Sequence, residues 1–131
     1  MTKSMKLPGP DHPITIEPAR GRVVVTADGR PLADSRHALI LKEAGYPPVY
    51  YLPRQDTAMQ RLQQSARRTY CPYKGDCSYL SIIDAGAKGA DAVWSYEAPY
   101  PSVEAIAGHL AFYPDRVDRI ALENDDASSI S

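Results

Sequence analysis

Residues 22–35 read Arg22-Val23-Val24-Val25-Thr26-Ala27-Asp28-Gly29-Arg30-Pro31-Leu32-Ala33-Asp34-Ser35, and this stretch decides the fold class. The β-branched run at 22–26 suits a pleated, half-buried surface. Asp28-Gly29 is a strong hairpin signal, because a two-residue turn of matching twist needs positive φ at both central positions. A return strand is expected from Arg30 through Leu32 and Ala33 to Ser35. Upstream, Ile14-Thr15-Ile16-Glu17 alternates apolar and polar, as a half-buried strand does. Downstream, Ala38-Leu39-Ile40-Leu41 extends the sheet, with a short helical turn through Glu43 and Ala44 as the alternative. Val49-Tyr50-Tyr51-Leu52 lies between Pro48 and Pro53, and proline cannot donate to a ladder, so this strand is expected at an edge.

Further strands are expected at residues 78–83 and 92–96, joined by a loop at 85–89, and at 110–113 and 117–122, turning at Pro114-Asp115. Two short helices break the pattern. One starts with Asp56 as N-cap, places Met59 and Leu62 on one face, and ends near Arg67-Arg68. The other starts at Ser102 and runs through Val103, Ile106 and Ala107. Turn signals about every ten residues predict a mainly β, antiparallel, single compact domain with two short helices.

The length of 131 residues fits one domain. We divide it into a flexible N-terminal arm (1–12), the β-rich domain (13–123) and a disordered polar tail (124–131). Charges nearly cancel, with 15 Lys+Arg against 16 Asp+Glu, which argues against nucleic acid or an anionic membrane as partner. The lysines near the N-terminus precede no apolar run, and no stretch approaches the ~20 apolar residues of a membrane span, so a cytoplasmic protein is expected. Cys71 and Cys77 are too few for a disulfide framework or a Cys-only zinc site. No cofactor and no metal are expected.

The chemistry-bearing segment is Tyr70-Cys71-Pro72-Tyr73-Lys74-Gly75. Pro72 fixes the backbone after the thiol, and Gly75 permits positive φ after the ammonium. A nearby lysine favours the thiolate, which marks Cys71 as a candidate catalytic residue. The alternative is a tight turn around a buried free cysteine. The order of residues is not that of a P-loop. Nine tyrosines accompany one Phe and one Trp, and six of the nine fall between residues 50 and 96. Trp94 and Tyr96 share one strand face, either as core or as a stacking wall. Arg36 and Glu43 flank the 38–41 run, and pair either with each other or with an anionic ligand.

The segment Thr69-Tyr70-Cys71-Pro72-Tyr73-Lys74-Gly75 resembles the family called domain of unknown function 427, small bacterial proteins. Asp34-Ser35-Arg36-His37-Ala38-Leu39, Pro48-Val49-Tyr50-Tyr51-Leu52-Pro53, Ala92-Val93-Trp94-Ser95-Tyr96 and residues 106–113 follow in the expected order, so the resemblance runs from about His12 to Glu123. It implies a β-tent-like fold, two antiparallel sheets over one core. The family has also been related to nucleotidyltransferases, but no paired-Asp metal motif of that kind occurs here. Zinc-holding β-tent proteins use two Cys-x-x-Cys knuckles, which this chain lacks.

The function expected is a small-ligand binding domain with a groove for an anionic or aromatic metabolite. The ligand-binding residues expected are Arg36, Tyr51, Tyr70, Tyr73, Lys74, Gly75 and Trp94. The alternatives are an enzyme using Cys71 as nucleophile or redox thiol, or a nucleotidyltransferase-like activity. A small molecule is the expected partner. Strand addition at residues 49–52 and a weak homodimer are left open.

Overall fold

The computed structural model describes residues 4–124. Its first sheet is built on the valine hairpin. β2 (Gly21–Ala27) buries Val23, Val25 and Ala27 and leaves the intervening side chains half-buried. Asp28 (φ 53°) and Gly29 (φ 75°) make the two-residue turn into β3 (Arg30–Ser35). Val23 faces Ser35, with a bulge at Val25/Thr26. β10 (Arg119–Asn124) lies along the other side of β2, in the order β10-β2-β3.

The second sheet takes β1 (Ile14–Pro18), β4 (Leu39–Glu43) and β5 (Val49–Tyr51) in the order β1-β4-β5. The third has the order β6-β7-β8-β9, from β6 (Leu62–Cys71), β7 (Gly75–Ile82), β8 (Val93–Ser95) and β9 (Ala111–Phe112). Every pairing is antiparallel. Leu52 and Leu110 exchange two backbone hydrogen bonds of 2.8 Å, which ties the end of β5 to the start of β9. The mainly β, antiparallel domain thus forms as the patterning predicts, although its strands pair as three sheets rather than two.

The third sheet has a core on each face. Leu80, Ile82, Val93, Leu110 and Phe112 pack with Val23, Val25 and Leu32 of the first sheet. Cys77, Tyr79, Trp94 and Ala111 point the other way and pack with Leu41, Ile14 and Ile16 of the second sheet. The two-residue side-chain period of a strand sorts each of β7, β8 and β9 between the two cores. Tyr51 and Leu52 are divided in the same way.

The helix expected from Asp56 does not form. Short 3-10 turns at Arg54–Asp56 and Met59–Arg61 lead directly into β6. Met59 and Leu62 alone made its apolar face, and Leu62 instead sits opposite Ile82 in the β7 ladder. The polar residues 63–68 are tolerated because β6 is an edge strand with its outer side in water. Asp56 caps nothing: its carboxylate accepts the Ser35 hydroxyl at 2.6 Å. Arg61 is buried. Its guanidinium grips Asp84 through two 2.9 Å contacts and donates to the Ala27 carbonyl. The second expected helix is a 3-10 segment, Pro101–Ile106, which buries Val103 and Ile106. The tail beyond residue 124 lies outside the described residues.

Candidate functional site

The Cys-Pro-Tyr-Lys-Gly segment is the turn of the β6–β7 hairpin. Cys71 pairs with Gly75, and the Lys74 amide donates to the Cys71 carbonyl at 3.2 Å. Gly75 has φ +109°, a conformation that side chains disfavour. The need is conformational rather than spatial, since an added Cβ would meet the Ala98 carbonyl at an ordinary 3.7 Å. The Tyr100 amide donates to the Lys74 carbonyl at 3.0 Å and holds the turn down.

Bent in this way, the turn sends Lys74 inward, where it is 7% exposed. Its ammonium donates to Glu43 Oε1 at 2.5 Å, at the last residue of β4. Glu43 Oε2 accepts from His12 Nε2 at 2.7 Å. The His12 ring lies flat on Tyr73, with centroids 3.9 Å apart and planes 5° apart. Burial pushes the Glu43 carboxyl up, but the hydrogen bonds and charges of Lys74 and His12 outweigh it and hold the group below the ordinary carboxylate value.

Beside this ion pair is a cavity of about 780 Å³, lined by Lys74 and Glu43 and by an aromatic wall that includes Tyr50, Tyr51, Tyr79, Trp94, Tyr96 and Tyr113. Trp94 Nε1 donates to the Tyr51 hydroxyl at 3.2 Å, with the two rings edge to face at 6.4 Å. Tyr113 packs on Trp94 with centroids 4.5 Å apart. The Lys74 ammonium stands 5.8 Å from the Tyr96 ring centroid, within the reach of a cation–π attraction. Burial raises the pKa of Tyr51 and Tyr96, and it pushes Tyr79 up to about 12. The three phenols are therefore neutral hydroxyls at physiological pH.

Three of the residues expected from sequence, Tyr51, Lys74 and Trp94, meet on this wall. The others have different places. Tyr73 stands behind the ion pair and carries His12. Tyr70 turns toward the N-terminal segment, donating to the Ser4 carbonyl at 2.6 Å and meeting the Tyr100 hydroxyl at 2.6 Å. Gly75 shapes the turn. Arg36 is exposed just after β3, where its charge helps lower the Asp34 carboxyl after the larger effect of Arg22, and it is not among the cavity-lining residues. Cys71 is half-buried against the second core, while the thiol on the cavity wall is Cys77, raised in pKa by burial.

Sequence reasoning missed Glu43 as the partner of Lys74 and His12. Its place at the end of an apolar strand was the available signal. Residues 4–12, which composition assigns to an arm, reach the hairpin at three points: the Ser4 carbonyl on the Tyr70 hydroxyl, the Lys6 amide on the Pro72 carbonyl at 2.8 Å, and the His12 ring on Tyr73. Among the described residues no group of three or more His, Cys, Asp or Glu is arranged to hold a metal ion. No helix among them is long and apolar enough to cross a membrane.

A search of the curated proteins returned no match. Residues 15–123 match the model of a family described as a domain of unknown function, DUF427, and those residues contain every strand from β2 to β9 and the whole aromatic wall. The chain belongs to the DUF427 family.

Proposed function

We propose that this domain binds a small molecule with an aromatic or flat apolar body in the groove between β5, β7 and β8, with one polar end directed at the Lys74–Glu43 pair. The observation that carries the reading is the cavity itself. Its volume of about 780 Å³ lies in the range of small-molecule sites, and its walls combine aromatic rings with aliphatic side chains such as Leu41, Val49 and Ile120 around the Lys74–Glu43 ion pair. Stacking and edge-to-face contacts would hold the body of the ligand, and the ammonium would orient its polar end. An aromatic body is favoured over a purely ionic ligand because the ammonium already faces a carboxylate at 2.5 Å.

Trp94 is the sole tryptophan, so its fluorescence reports on the groove directly. Phenylacetamide is a neutral probe whose few atoms should give a roughly millimolar dissociation constant. The expected result is a saturable change in Trp94 emission, matched by calorimetry and weakened about fivefold or more by Tyr96→Leu. No saturable signal in either assay for a set of such flat probes would refute the reading.

A further inference from the structure

We infer that the ligand is an aromatic carboxylate, and that His12 sets its affinity by controlling the net charge of the Lys74–Glu43 pair. This rests on the groove being a ligand site and goes on to name the ligand's charge and its control. Glu43 is shared: one oxygen faces the Lys74 ammonium and the other faces His12. With His12 neutral, ammonium and carboxylate cancel, and an anion reaching Lys74 also meets the repulsion of Glu43. With His12 protonated, Glu43 is balanced from behind and the cluster carries one net positive charge beside the aromatic wall. A single net charge suits a monoanion. Among the described residues, no arginine lies on the cavity wall to make the forked contacts that phosphate favours.

Among the described residues, few groups face His12. Glu43 comes from β4, Tyr73 from the hairpin turn, and Tyr46 lies 6.5 Å away between ring centroids. Lys74 acts through Glu43, and Asp11 is the acidic neighbour on the same segment. Glu43 is held below the ordinary carboxylate value, so it stays ionised near neutrality. Histidine is the side chain that changes charge between about pH 5 and pH 8. A bound carboxylate favours the protonated ring, so binding takes up protons and affinity rises as pH falls. The two cations bond different oxygens of one carboxylate, Lys74 at 2.5 Å and His12 at 2.7 Å, so they stand several ångströms apart. At that range, with an effective dielectric between protein and water, the change is on the order of tenfold.

The test titrates the full chain with phenylacetate and with its neutral isostere phenylacetamide between about pH 5.5 and about pH 7.5, where the probe carboxylate remains ionised. Phenylacetate is expected to bind about tenfold tighter at the acidic end and the amide to be indifferent to pH. His12→Gln should bind phenylacetate weakly at every pH, and His12→Arg tightly at every pH, because it supplies a permanent cation. A flat phenylacetate profile in the native chain, an unchanged slope in His12→Gln, or equal binding of acid and amide at the acidic end would overturn the inference. Binding of the amide alone leaves the groove reading standing and removes the charge control. Failure of both probes removes both.

Discussion

Replacing Glu43 by Gln tests whether the ion pair is as buried and as necessary as its geometry implies. The side chains of Lys74 and Glu43 are 9% and 14% exposed, and their charged atoms are 2.5 Å apart. An exposed pair contributes at most about 1 kcal/mol, whereas removing one partner of a buried pair costs about 3–5 kcal/mol because the other charge is left stranded. With a little solvent at the site, Glu43→Gln should cost about 2–3 kcal/mol. For a domain of this size that lowers the melting temperature by roughly 8–12 °C. The pH dependence has a definite sign. The Glu43 carboxyl is held below its ordinary value, so its contribution is complete above the unfolded-state value of about 4.3 and is lost as pH falls through the lower folded value. Thermal melts should therefore show a full gap between native chain and variant near neutrality, closing below about pH 4. The double variant Glu43→Gln/Lys74→Met should return most of the loss, to within about 1 kcal/mol of the native chain, since an uncharged pair strands nothing. A single variant that melts within about 2 °C of the native chain at neutral pH, or a gap that persists in acid, would show that the pair is solvated and the argument wrong.

Gly75→Ala should cost about 1–2 kcal/mol in denaturant unfolding, because φ +109° is strained for any side chain, while Gly45→Ala, which meets nothing within 4 Å, should change stability far less. Equal losses at the two positions would mean that the turn is not held by its backbone conformation. Iodoacetamide followed by peptide mapping should modify Cys71 well before Cys77, which is 2% exposed and whose thiol is raised by burial. Equal rates would show that β7 opens on the labelling timescale.

The local rules that worked were those with a short reach. The Asp28-Gly29 hairpin formed because both turn residues adopt positive φ, and the alternation in β1 and the β-branched run in β2 both became strands. The helix drawn from Asp56 failed because two apolar residues three apart are weak evidence for a helix, whereas the ladder to β7 pairs residues 62–64 and 68–71, with a bulge between them. Propensity was overruled by pairing with a strand that becomes adjacent only in the folded chain. The same limit applies to the site. Tyr51, Lys74 and Trp94 were legible as residue types, but Glu43 and His12 are each 31 residues from their partners.

An antiparallel, mainly β domain with six of its nine tyrosines between residues 50 and 96 was legible from the sequence, because turn chemistry and two-residue periodicity are local properties. Tertiary structure alone decided that Lys74 turns inward onto Glu43, that His12 joins from the other side, and that Tyr51, Trp94 and Tyr96 face one cavity. Those contacts depend on which strands become neighbours and on which face of each strand is turned inward. That is settled when the third sheet buries both of its faces at once, against the first sheet on one side and the second on the other.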